Sequence, residues 1–79
     1  MNVTVKLFSV FREYYPNYDH NQGIRVALPA GGTVAEILSH LGLPAEKKPI
    51  VSCNGHILDL SDKLEDGCLI QVFQPVAGG

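Results

Sequence analysis

Only one stretch of this 79-residue sequence is written for a helix. Thr33 followed by Glu36 forms a capping box: the hydroxyl can accept from the Glu36 amide while the carboxylate reaches back to Thr33. Val34, Ile37, Leu38 and Leu41 recur at i, i+3, i+4 and i+7, a single apolar stripe. Gly42 supplies a left-handed C-terminal cap and Pro44 forbids continuation, so the spacing predicts a helix of about nine residues. One helix cannot cover both faces of a sheet, and that limit governs how the rest of the chain is arranged.

The flanking segments read as strands. In Met1 to Phe11, Val3, Val5 and Leu7 alternate with Thr4 and Lys6, the period of a half-buried strand. Pro16, Asn17, Asn21 and Gly23 mark a loop, with a short helical turn expected at Val10 to Tyr14 before the proline. Ile24, Val26 and Leu28 resume the alternation, so the first two strands make a hairpin with a long loop. After the helix, Glu46 to Pro49 is a linker and Ile50 to Cys53 a third strand. Asn54-Gly55 is the preferred type I′ pair, returning His56 to Leu58 as a fourth strand. Asp59 to Gly67 is an acidic connection, expected to hold one helical turn at Ser61 to Leu64. Cys68 to Phe73 is the last strand, with Ile70 and Val72 toward the core and Leu69, Gln71 and Phe73 on the other side.

The element order implies an α+β fold: a mixed sheet of about five strands with one main helix on one face, the β-grasp or ubiquitin-like roll. In that arrangement the first strand lies parallel to the last and both are central. The expected division is a domain over residues 1–74 and a tail over 75–79 that carries no charged side chain.

Composition narrows the function. The chain is 46% hydrophobic and 18% charged, as a globular domain is. A formal charge of −2 argues against a nucleic-acid binder that works by neutralising phosphates. No apolar stretch is long enough for a membrane span and no signal-peptide pattern opens the chain, so the expectation is a cytoplasmic protein. Cys53 and Cys68 each fall in an apolar run with no CxxC, and read as two small buried hydrophobes without a redox role. His20, His40 and His56 are dispersed and pair with neither cysteine at metal or nucleophile spacing; they read as surface residues. Asp59, Asp62, Glu65 and Asp66 lack the ligand spacing of a cation loop. No metal site is expected, and nothing supports hydrolytic, phosphoryl-transfer or hydride chemistry: the chain by itself is not an enzyme.

The feature that carries chemistry is the ending Pro75-Val76-Ala77-Gly78-Gly79. Without Cβ atoms, a Gly-Gly end can thread a narrow channel and adopt dihedrals closed to other residues. A terminal carboxylate is a poor electrophile, so chemistry there requires activation, for example by ATP.

Several segments resemble the MoaD/ThiS family of sulfur carriers, and most of all the small subunit of molybdopterin synthase. Asp66 to Gly79 resembles its "DGDEV…FPPVAGG" ending, and Val5-Lys6-Leu7-Phe8 with Phe11-Arg12-Glu13 its "VKVLLFA…LRE" opening. Pro29 to Leu41 resembles the "LPEGATVAELL" helix entry and Val51 to Gly55 the "VAVNG" hairpin. Two departures stand out: Gln74 replaces the first proline of the ending, and Tyr14 to Asn21 has no counterpart. That tyrosine-rich loop is expected to fold over a sheet edge.

The resemblance implies a sulfur carrier that binds no cofactor. An E1-like activating enzyme uses ATP to adenylate Gly79, a sulfur donor enzyme displaces AMP to leave a thiocarboxylate, and the sulfur passes to a cofactor precursor in the synthase large subunit. Gly78 would give the tail clearance, Pro75 and Val76 would guide it out of the sheet, and these two with Ala77 would contact the partners. Phe8 and Phe73, on the exposed sheet face, would form a hydrophobic docking patch for partners. Three alternatives share the sequence: a thiamine-type carrier, a modifier conjugated to lysines through Gly79, and a β-grasp binding module with no tail chemistry.

Overall fold

The computed structural model describes residues 1–75. Strands β1 (Asn2–Leu7), β2 (Ile24–Ala27), β3 (Ile50–Cys53), β4 (His56–Leu58) and β5 (Leu69–Phe73) form one sheet in the order β2-β1-β5-β3-β4. β1 and β5 run parallel, with Val5 opposite Ile70 and Leu7 opposite Val72; every other pairing is antiparallel. Parallel neighbours need a crossover, and helix α1 (Val34–Leu41) lies in the long connection between them.

Helix α1 has the caps its sequence specifies. The Thr33 hydroxyl accepts from the Glu36 amide at 3.3 Å, and a Glu36 carboxylate oxygen accepts from the Thr33 amide at 3.4 Å. Gly42 closes it at φ 70°, its amide donating to the Leu38 and Ser39 carbonyls. The stripe Val34, Ile37, Leu38 and Leu41 is buried against Val3, Val5, Leu7, Val26, Val51, Ile70 and Val72 of the sheet. Burying a side chain of this size contributes roughly 1.5–3 kcal/mol, so this one layer supplies most of the driving force. Phe11, fully buried, plugs the end of the core from a 3-10 helix over Ser9–Tyr14, where the sequence predicts a helical turn.

Asn54 and Gly55 both have positive φ, 52° and 85°, as the β3–β4 turn requires. The acidic connection departs from expectation. Ser61 to Leu64 forms no helical turn; the chain instead turns at Asp59–Asp62, where the Asp62 carboxylate takes the Asp59 amide at 2.7 Å. Lys63 then bridges to Thr33 and the Leu64 amide donates to the Gly32 carbonyl, so Leu64 is pulled into the core. Backbone pairing with the helix entry competes here with local helix formation and wins. The 46–49 linker contains a further 3-10 turn, Ala45–Lys47.

The cysteines also depart from their sequence reading. Cys53 lies opposite Ile70 and Cys68 two residues before it, so both point to the helix side of the sheet, where they are joined as a disulfide. They are therefore not two independent apolar fillers. Sequence separation hid a contact that the β3–β5 register creates.

Candidate functional site

Alternation assigns the other sheet face directly. Thr4 and Lys6 of β1, Arg25 of β2, Leu69, Gln71 and Phe73 of β5, Ile50 and Ser52 of β3, and Ile57 of β4 all point away from the helix. Among the described residues no element covers this face, yet Ser52 is buried on it, its hydroxyl donating to Gln71 Oε1 at 3.3 Å. Ile57 is 71% exposed. Lys6 and Arg25 are cations, and the strand residues of this face include no carboxylate.

Phe8 and Phe73 come together at the end of this face from which the chain leaves β5. Phe8 follows β1 in extended conformation, its amide donating to the Val72 carbonyl, and this fixes its ring beside Phe73. The rings meet edge to face, centroids 6.5 Å apart, each half-buried. Ile50, paired with Phe73 across β3–β5, extends the apolar surface. Pro75 is exposed two residues beyond Phe73. Val76, Ala77, Gly78 and Gly79 lie outside the described residues.

The sequence reading missed His20. Its ring stands edge-on to Phe8 at 5.0 Å, so three aromatic rings line this corner. The Tyr14–Asn21 loop places it there: the Tyr18 hydroxyl accepts the Leu7 amide at 2.9 Å and lies 3.0 Å from His20 Nδ1. Tyr15 donates to the Leu41 carbonyl at 2.6 Å, pinning the loop to the end of α1. The loop thus folds over a sheet edge, as expected, and also adds a side chain to the open face. Nothing in the spacing of His20 signals this. Ile50 and Ile57 were legible, because the Asn54-Gly55 turn sets the parity of both strands it joins.

Among the described residues, no three His, Cys, Asp or Glu side chains gather as a metal site, and no helix is long and apolar enough to cross a membrane. The arrangement offers an apolar, aromatic, cationic face next to the start of the tail.

Comparison with solved structures finds the same fold. SAMP1 from Haloferax volcanii matches at TM-score 0.74 and 24% identity over 100% of both chains. A protein described as molybdopterin converting factor, subunit 1, from Pyrococcus furiosus matches at TM-score 0.74 and 23% identity, covering 96% of this chain and 99% of that one. A complex of subunits 1 and 2 of the molybdopterin-converting factor from Helicobacter pylori contains a chain matching at TM-score 0.62 and 24% identity over 100% of both. Comparison with curated protein sequences gives no match. The sequence model of the ThiS family matches residues 5–79, from the middle of β1 through the last glycine. With its β-grasp sheet, capped helix and Gly-Gly ending, the chain belongs to the ThiS family.

Proposed function

We propose that this protein carries sulfur as a thiocarboxylate on Gly79, for molybdopterin synthesis. Residues 1–74 act as the handle and 75–79 as the reactive tail. A Gly79 carboxylate oxygen attacks the α-phosphorus of ATP in an activating enzyme, and pyrophosphate leaves. Sulfide sulfur attacks the resulting acyl-adenylate, AMP leaves, and the thiocarboxylate remains. Where the persulfide of a donor enzyme attacks instead, loss of AMP gives an acyl disulfide, and a thiol cleaves its S–S bond, forming a disulfide with the donor's sulfur and releasing the thiocarboxylate. That sulfur is then delivered to a cofactor precursor held by a synthase large subunit. Both enzymes supply the catalytic groups; this chain supplies the acyl group and the docking face.

The observation that carries this reading is the family match running to Gly79 in a fold whose central strand leads directly into the tail. The Phe8–Phe73–Ile50 corner supports it, because a half-buried apolar cluster beside the reactive end lets binding energy position that end. The Helicobacter pylori complex of subunits 1 and 2 supports a large-subunit partner.

A second reading draws on the resemblance to SAMP1, also described as small archaeal modifier protein 1: the activated Gly79 is joined to an amine on a target protein. Intact-mass spectrometry after incubation with ATP, a sulfide source and the cognate activating enzyme separates the two. Exchange of oxygen for sulfur nearly equals one oxidation in mass, so the shift is mapped to the C-terminal peptide and alkylated there. A thiocarboxylate at Gly79 is expected. An adenylate that takes no sulfur but couples to lysine supports the modifier, and an unchanged Gly79 with an active cognate enzyme overturns both.

A further inference from the structure

We propose that Cys53 and Cys68 form a reversible thiol–disulfide site, opened and closed by a small thiol of the glutathione class, with Cys53 as the sulfur that meets the reagent. This inference stands apart from the tail chemistry. Ile70, opposite Cys53, lies at the start of β5, whereas Phe73, opposite Ile50, lies at its end. The cysteine pair and the tail exit are therefore about 10 Å apart along the strand.

Three features of the site support reversibility. The Cα atoms of Cys53 and Cys68 are 6.5 Å apart, within the span of about 4.4–6.8 Å that disulfides occupy, so both redox states fit one backbone. Both cysteines line a surface depression of about 290 Å³, shared with Asn54, His56, Leu58 and Lys63, that gives a small reagent room to approach. Cys53 is partly exposed whereas Cys68 is buried at 5%. Attack from outside therefore falls on Cys53, and Cys68 is placed to resolve it.

The β3–β4 hairpin adds an imidazole. His56 lies directly opposite Cys53 in the antiparallel register, on the same face, and both His56 and Lys63 are exposed on the rim of the depression. The imidazole and the ammonium thus share the depression with the two sulfurs, and the exposed Glu65 carboxylate lies on the same rim.

The exchange balances in two steps. The Cys53 thiolate attacks one sulfur of glutathione disulfide; that S–S bond breaks, one glutathione thiolate leaves and a mixed disulfide forms on Cys53. The Cys68 thiolate then attacks Cys53 Sγ, the internal S–S bond forms and the second glutathione thiolate leaves. The protein has lost two electrons and two protons, and glutathione disulfide has become two thiols. The closed bond ties the β3–β4 hairpin to the entry of β5.

The test uses the folded full-length chain in glutathione buffers of varied ratio, quenched in acid and read by intact mass and peptide mapping. The wild-type chain should interconvert between dithiol and internal disulfide, lighter by two hydrogens, without accumulating adduct. Cys68→Ser should accumulate one glutathione on Cys53, and Cys53→Ser should remain unmodified while folded. Pulsed alkylation of the reduced wild-type chain, which needs no variant to fold, should label Cys53 before Cys68. The proposal is overturned if both cysteines of the wild-type chain carry glutathione, if Cys68 is labelled as fast as Cys53, or if the internal bond resists glutathione in the folded chain.

Discussion

The Tyr18 hydroxyl accepts the Leu7 amide at 2.9 Å, completing a ladder that the sheet leaves short. The amides of Thr4 and Phe8 reach across to β5, so that of Leu7 points the opposite way, toward β2. β2 begins only at Ile24, paired with Val5, and offers Leu7 no carbonyl. Tyr18→Phe keeps the ring and deletes the acceptor, which leaves a donor in a part-buried site unsatisfied. The expected cost is about 1–3 kcal/mol, a large share of the stability of a domain this small. Urea unfolding followed by circular dichroism should show a lower midpoint at unchanged slope; an unchanged midpoint would mean that water replaces the hydroxyl at no cost.

Gly23 ends the same loop and tolerates no side chain. Its φ is 72°, and a Cβ there would lie 2.8 Å from the Val5 carbonyl oxygen, a backbone atom that cannot swing away. Gly23→Ala should therefore destabilise by more than about 1 kcal/mol, the scale of the positive-φ penalty alone. Gly31→Ala is the control, because its φ of 83° imposes the same backbone penalty while its Cβ meets nothing within 4 Å. The difference between their unfolding midpoints measures the clash. Equal midpoints would show that β1 and the loop can move apart freely.

Local chemistry was legible in the sequence and long-range contact was not. The capping box at Thr33 and Glu36, the apolar stripe of α1 and the Asn54-Gly55 turn each depend on residues within a few positions of one another. All three formed as expected. The alternation within the last strand likewise put Phe73 on the face opposite Ile70 and Val72, and the structure leaves it there, paired with Ile50. The pairing of Cys53 with Cys68 and the placing of His56 opposite Cys53 depend on register between strands, which no spacing along the chain announces. Ser61 to Leu64 misled for the same reason: its backbone hydrogen bonds go to the helix entry rather than to itself. Polar loop residues such as His20 carry no periodicity, so their destination is set by the tyrosines beside them.

Phe8 and Phe73 are expected to act as one anchor in partner binding. Phe8→Ala and Phe73→Ala should each weaken binding to the cognate activating enzyme about five- to thirtyfold, the range of a 1–2 kcal/mol anchor. Because the rings touch, the double variant should lose less than the sum of the two. Isothermal titration supplies the affinities, and unfolding midpoints confirm that the variants are folded at the assay temperature. Strict additivity would mean that the two rings contact the partner independently.

The last prediction concerns Gly79 itself. Appending a single alanine after it moves the carboxylate one residue farther from the docking face and puts a Cβ on the group that must be activated. Among the described residues, every buried hydrophobic of the core lies between Val3 and Val72, so the addition should leave the unfolding midpoint unchanged. Thiocarboxylate formation should nevertheless be lost, because the activating enzyme positions an acyl carbon through contacts made elsewhere on the domain, and a small misplacement costs about a hundredfold in rate. Gly78→Ala keeps the length and adds only a methyl group; it should slow the reaction rather than abolish it. Single-turnover formation of the alkylatable C-terminal peptide gives both rates. If the extended chain reacts as fast as the native one, the tail is read loosely and the docking face does not set the position of its end.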